Sequence, residues 1–300
     1  MRASERAGAT PHPGQSPALA AGQADGVPGP GSFGSDSFGP DSFGGRHGRN
    51  RVSAEAAIVA SLDAASGITR LPVLRSQVPL VLRRTPDAVY LVGGAAGPIG
   101  GDVLDLRIDV LACAFLRVRS AAASIALPGP DGLESVLRVT ISVGSGGCLE
   151  YLHEPVVVSE GARHATIFLV NLAEGASLLL RDELLLGRHG EAGGAARSVL
   201  RVDYAGRPLL RQALKISGTD AVSLGPAVLA GHRAVGNLLR AGLAMPTDEV
   251  AYADATVAVM PLAGPGVLVT ALADDAVTLR KRLTTRSRST QATPRSSPGA

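Results

Sequence analysis

The chain has 300 residues, 45 % of them hydrophobic, with five Phe, four Tyr, no Trp and a formal net charge of +3. That hydrophobic share suffices for a sizeable interior, which the scarcity of rings makes aliphatic, built from Val, Leu, Ile and Ala. Much of the positive excess sits in Arg280, Lys281, Arg282, Arg286, Arg288 and Arg295; elsewhere Arg alternates with Asp and Glu, and with few rings to stack on bases the chain is not expected to bind nucleic acid.

Residues 1–50 are rich in Gly, Pro, Ser and Ala, and Ser-Phe-Gly recurs at Ser32, Ser37 and Ser42. Such a segment buries too little apolar surface to offset its ordering entropy, so a disordered tail is expected there. Period-two alternation then begins, in 79–84, in 88–92 and most clearly in Val103-Leu-Asp-Leu-Arg-Ile-Asp-Val110, and it predicts half-buried strands.

Within the β region a unit repeats. Ile108-Asp-Val110 followed by Leu116-Arg-Val118 matches Ile141-Ser-Val143 with Leu149-Glu-Tyr151, and Val170-Asn-Leu172 with Leu178-Leu-Leu180. Each copy reads as a strand, a tight turn needing positive φ, and a second strand; Gly146 and Gly175 serve the later turns, and Cys113 stands in the first, so that turn is expected to differ. Strand pairs of this kind cannot each bury a face alone, and stacking them buries a shared interior. The predicted fold is mostly β, a β-helix-like stack of strand pairs with two minor α-helices near the C-terminus. One helix is expected in 226–243, from Val228, Val235, Leu238 and Leu239, and a capped one after Asp274-Asp275. The β domain is placed at 51–283, and a second disordered, basic tail at 284–300.

Local motifs exclude several chemistries. Gly29-Pro-Gly-Ser-Phe-Gly34 matches GxGxxG but has no strand before it or helix after it, and no GxxxxGK[ST] loop exists, since the only lysines are Lys215 and Lys281. The six histidines form no HxH, HxxxH or HExxH, and no GxSxG elbow occurs, so no enzyme is indicated. Cys113 and Cys148 lack CxxC spacing and are expected to be buried thiols in a reducing, cytoplasmic compartment. Arg2 and Arg6 are not followed by an apolar run, and the apolar stretch 257–273 is broken by Pro261, Gly264, Pro265 and Gly266, so neither secretion nor a membrane span is expected. What remains unusual is Gly100-Gly101-Asp102 before the first repeat and the segment from Glu183 to Glu191 after the third. A double Gly allows close approach, and a carboxylate at a strand edge can pair or hand on a cation.

The segments Leu80-Val-Leu-Arg-Arg-Thr-Pro86, Tyr90 to Asp102, Leu116 to Ala123, Leu149-Glu-Tyr-Leu152, Gly161-Ala-Arg-His164, Glu183 to Arg188 and Gly266 to Asp275 together resemble the urease accessory protein family UreD, also called UreH. The resemblance is densest between Leu74 and Gln212. It implies a β-helix-like domain with two helices and a non-catalytic chaperone that works with apo-urease, UreF and, through UreF, the GTPase UreG. It also implies that nickel passes in transit, with no stably bound cofactor; Asp102 and Glu183 are the carboxylates matched to that path, and Arg188 is matched to orienting Glu183 or a partner carboxylate. His153 in place of a common Pro, Ser159-Glu160, and Cys113 in place of a turn Gly depart from the family pattern. The competing readings are a β-helix carbohydrate-active enzyme, which the few aromatics disfavour, and a structural β-solenoid scaffold.

Overall fold

The computed structural model describes residues 51–242 and 250–285. The expectations for 1–50, including its glycine-rich motif, and for residues beyond 285 lie outside the described residues.

Two hairpins open the domain: β1 (Ser53–Asp63) with β2 (Ile68–Arg75), and β3 (Leu80–Arg84) with β4 (Val89–Gly93). Coils follow: β5 (Val103–Val110), β6 (Phe115–Ser120) and β7 (Ser124–Ala126); then β8 (Ser135–Val143), β9 (Cys148–Leu152) and β10 (Val156–Val158); then β11 (Arg163–Leu172) and β12 (Ser177–Leu186). The chain continues through β13 (Ala195–Tyr204), β14 (Arg207–Ser217), α1 (Ala221–Leu224) and β15 (Ala234–Gly242). It ends, among the described residues, with β16 (Tyr252–Ala253), β17 (Val257–Pro261), β18 (Gly266–Ala273) and α2 (Ala276–Thr285).

These strands form two sheets. The first runs β14-β13-β11-β8-β5-β1-β2; the second runs β16-β17-β18-β15-β12-β9-β6-β4-β3, with β10 joining β12 to β7. The middle of both sheets is parallel and the margins are antiparallel. The sequence repeat is the stacking register itself: Ile108 lies opposite Ile141 and Ile141 opposite Val170 in the first sheet, while Leu116, Leu149 and Leu178 align in the second. One expectation changes here. The two strands of a repeat do not pair with each other as a hairpin would; the turn carries the chain from one sheet to the other, and pairing is between copies, so the aligned residues stack across the interior.

The first of these turns does not differ in backbone. Cys113 adopts φ 58°, close to Gly146 at 66° and Gly175 at 75°. An L residue there is held by the ladder on either side, at a cost of about 1 kcal/mol. Neither cysteine is buried: Cys113 is exposed at the corner and Cys148 is part-exposed on the outer face of β9.

The predicted helix in 226–243 is mostly β15. All nine of its residues are buried, packed on one face against the β-helix and on the other beneath α2. A strand covered on both faces has a nearly continuous apolar sequence, and its spacing cannot be told from that of a helix. The helix expected after Asp275 is α2: the Asp275 carboxylate accepts from the Thr278 N–H at 2.8 Å, and Leu279 and Leu283 are fully buried over Gly236. The expected tail boundary at 284 falls inside this helix.

The interior between the sheets holds two aliphatic clusters. The larger gathers residues such as Ile58, Ile108, Ile141, Leu149, Leu178 and Leu200; the smaller gathers Val156, Val158, Leu184, Leu186 and Ile216. Tyr151 and Phe168 are its largest fully buried side chains, in edge contact with ring centroids 5.8 Å apart.

Candidate functional site

Asp102 sits at the start of β5 and is 2 % exposed. Its Oδ1 accepts from the Val52 N–H at 2.9 Å and its Oδ2 from the Ile99 N–H at 2.8 Å. The double glycine does permit a close approach, and what approaches is backbone: a Cβ on Gly100 would meet the Leu133 carbonyl oxygen at 2.5 Å and the Gly129 nitrogen at 2.6 Å. Gly101 adds a left-handed φ of 97°. The motif is therefore a clasp in which the carboxylate ties the incoming chain at Val52 to the loop before β5. Gly100→Ala is expected to lower stability by about 2–3 kcal/mol through this overlap, read as a lower urea midpoint at unchanged slope.

Glu183 lies elsewhere. Along β12 the even positions Leu178, Leu180, Asp182, Leu184 and Leu186 face the interior, and the odd positions face outward toward the layer that carries α2. Glu183 is fully buried on that outer side, where Arg280 of α2 donates to its Oε2 at 2.8 Å. The same guanidinium donates to both Glu154 oxygens, at 3.1 and 2.9 Å. Arg181 completes the group, donating to the His153 carbonyl oxygen at 2.9 Å, with its Nε 3.3 Å from Glu183 Oε2 but not aligned for a hydrogen bond. The hydrogen bonds that Arg280 donates to Glu183 hold it firmly charged, its pKa well above the ordinary arginine value.

Asp102 and Glu183 are thus not brought together, and Arg188 does not orient Glu183. It follows the left-handed Gly187, and its guanidinium and backbone N–H both bind the Glu191 carboxylate within the same loop. Those bonds hold Glu191 down at about 2.

The polar groups that sequence reasoning missed lie inside the β-helix, between the two apolar clusters. Ser135 Oγ is 2.9 Å from His164 Nδ1, and Thr166 Oγ1 is 3.2 Å from His164 Nε2. Asp182 accepts from Ser198 Oγ at 2.5 Å, and on the neighbouring strand Asn237 Oδ1 accepts from Thr270 Oγ1 at 2.8 Å. His153 is buried, stacked on Phe168 with centroids 6.1 Å apart. Burial drives His153 and His164 down to about 4, so both are neutral at physiological pH; it pushes Asp182 up to about 6, against the Ser198 hydrogen bond. A cavity of about 550 Å³, lined near the surface by residues 95–98 and 120–125 and deeper by Leu104 and Leu137, reaches His164. Alternation could have flagged Asp182, which interrupts an otherwise apolar even-numbered series in β12; His153 follows the end of β9 and carried no such signal.

Among the described residues no three or more His, Cys, Asp or Glu side chains cluster as a metal cage, and no helix is long and apolar enough to cross a membrane. The arrangement combines a buried ion-pair group under α2 with a polar layer inside an aliphatic β-helix.

The family model described as UreD urease accessory protein matches residues 54–296. The chain is 46 % identical over 261 residues to the urease accessory protein UreD of Parafrankia sp. (strain EAN1pec), covering 78 % of this chain and 88 % of the relative. It is 43 % identical over 282 residues to that of Frankia alni, covering 80 % and 93 %, and 46 % identical over 246 residues to UreD 3 of Streptomyces griseus, covering 77 % and 94 %. With a match that takes in nearly all the described strands and both helices, the chain belongs to the UreD family of urease accessory proteins.

Proposed function

We propose that this protein is a non-catalytic chaperone for nickel insertion into urease. It acts in the cytoplasm in a complex with apo-urease and UreF, with the GTPase UreG docked through UreF, and handles nickel as cargo in transit. The observation that carries this reading is the family match over residues 54–296. A cargo that must be released calls for few and exchangeable donors.

Of the two carboxylates matched to the path, Glu183 suits it better. Its partners are side chains that can exchange, whereas both Asp102 oxygens are held by backbone N–H groups. Arg188 is proposed to meet a partner carboxylate by exchanging its surface pair with Glu191.

Co-expression of urease with and without this chain tests the function, and full nickel activation in its absence removes the reading. Glu183→Ala is expected to lower activation with the complex still assembled. Asp102→Ala is expected to act mainly by loosening the clasp, at a cost of about 2 kcal/mol for two charge-assisted bonds. Unchanged activation in both variants removes the two residues from the path.

A further inference from the structure

Two buried acceptor atoms inside the β-helix have no partner, and they belong to the same layer. Nδ1 of His153 lies 2.6 Å from the Glu154 carbonyl oxygen, which can only accept, so the ring proton is on Nδ1 and Nε2 presents a bare lone pair. That Nε2 has no hydrogen-bond partner and is buried. Asp182 is likewise held through one oxygen: Ser198 donates to Oδ2, while Oδ1 is buried and unpartnered. The strands bring the two residues side by side, because Leu152 of β9 pairs in parallel register with Arg181 of β12, and His153 and Asp182 are the next residue on each chain. Both face inward: His153 packs on Phe168 of the opposite sheet, and Asp182 reaches Ser198 of that sheet.

From this geometry we infer that His153 Nε2 and Asp182 Oδ1 form a two-ligand site for a divalent cation of the borderline class, such as Ni²⁺, Co²⁺ or Zn²⁺, with water completing the coordination. A histidine that donates its other ring N–H to a carbonyl, beside a carboxylate whose second oxygen is oriented by a hydroxyl, is the support pattern of metal ligands. An imidazole and a single carboxylate make a nitrogen and oxygen set matched to such cations rather than to Ca²⁺ or Mg²⁺. The side chains of Arg181 and Arg280, which disfavour positive charge at the His153 imidazole, and of Glu154, which favours it, all act on the ring electrostatically. The identity of the cargo as nickel rests on the function proposed above; the site itself rests on the two unpartnered atoms.

The test uses the full chain freed of metal with a chelator and titrated with Ni²⁺ or Co²⁺ alone. His153→Gln and Asp182→Asn keep the shape of the interior and are expected to weaken Ni²⁺ binding at least about 10-fold, whereas His164→Gln, at a ring already bonded through both nitrogens, leaves it unchanged. In the unmodified protein, Co²⁺ is expected to broaden the His153 ring resonances before those of exposed His189. Equal affinity in the His153 and Asp182 variants, or sharp His153 resonances at saturating Co²⁺, overturns the site and leaves a polar gap bridged by water. Urease activation is read separately: if urease activates fully without the chain, the chaperone reading fails while cation binding stands, and if only the titration fails, the reverse holds.

Discussion

Acidification from about pH 7 to about pH 5 is expected to lower the unfolding free energy by about 2 kcal/mol, well before surface carboxylates titrate. The cause is the pair of interior histidines, whose pKa falls from the ordinary 6.5 to about 4 on burial. For a base with a depressed native pKa, the unfolded chain binds more protons between the two values. The stabilising difference is complete above 6.5 and is lost as the pH falls toward 4. Together the two rings remove about 3.5 kcal/mol over the stated interval. Asp182 works in the opposite sense. Its native pKa of about 6 lies above the ordinary 3.8, so the folded state takes up the proton first and regains about 1.5 kcal/mol over the same interval. Urea midpoints across this range measure the net slope. His164→Gln should halve the histidine contribution, and Asp182→Asn should steepen the acid loss while raising stability near neutrality. A flat profile between these pH values would show that the two rings are not buried as neutral groups.

The second large effect is expected at Arg280. Replacing it with Ala leaves Glu183 fully buried with only the poorly aligned Arg181 nearby, and should cost about 3 kcal/mol. The loss is local in origin, because Arg280 joins α2 both to Glu154 after β9 and to Glu183 of β12. Hydrogen exchange at Leu279 and Leu283 should therefore accelerate more than in the parallel strands. The paired change Glu183→Leu with Arg280→Met should recover most of the stability, since apolar side chains can replace a buried ion pair at little or no cost. If Arg280→Ala unfolds at the same urea midpoint as the unmodified protein, the ion pairs do not secure the helix.

Much of the architecture was legible because a β-helix writes its geometry into a period. Ile108, Ile141 and Val170 recur in sequence because they stack in space, and the inward alternation of each copy follows from the two-residue repeat of a strand. The same rule failed at β15, where covering by α2 buried the second face and erased the alternation. The Asp275 cap was legible for a local reason, since its carboxylate bonds an N–H three residues on. Asp102 and Glu183 were legible as unusual residues, but their surroundings were not: the partners of Asp102 include Val52, and those of Glu183 include Arg280, far away in the chain.

The sequence alone determined the aliphatic interior, the stacked repeat, the capped final helix and the family resemblance, because each depends on residue type and short-range spacing. Tertiary structure alone decided that paired strands go to opposite sheets, that Arg188 binds Glu191 rather than Glu183, and that His153 and Asp182, next to a paired position on adjacent chains, each turn one bare acceptor to the interior. Hydrogen-bond partnership and burial depend on what the fold brings alongside a group, and no local pattern encodes which distant side chain arrives or which stays away.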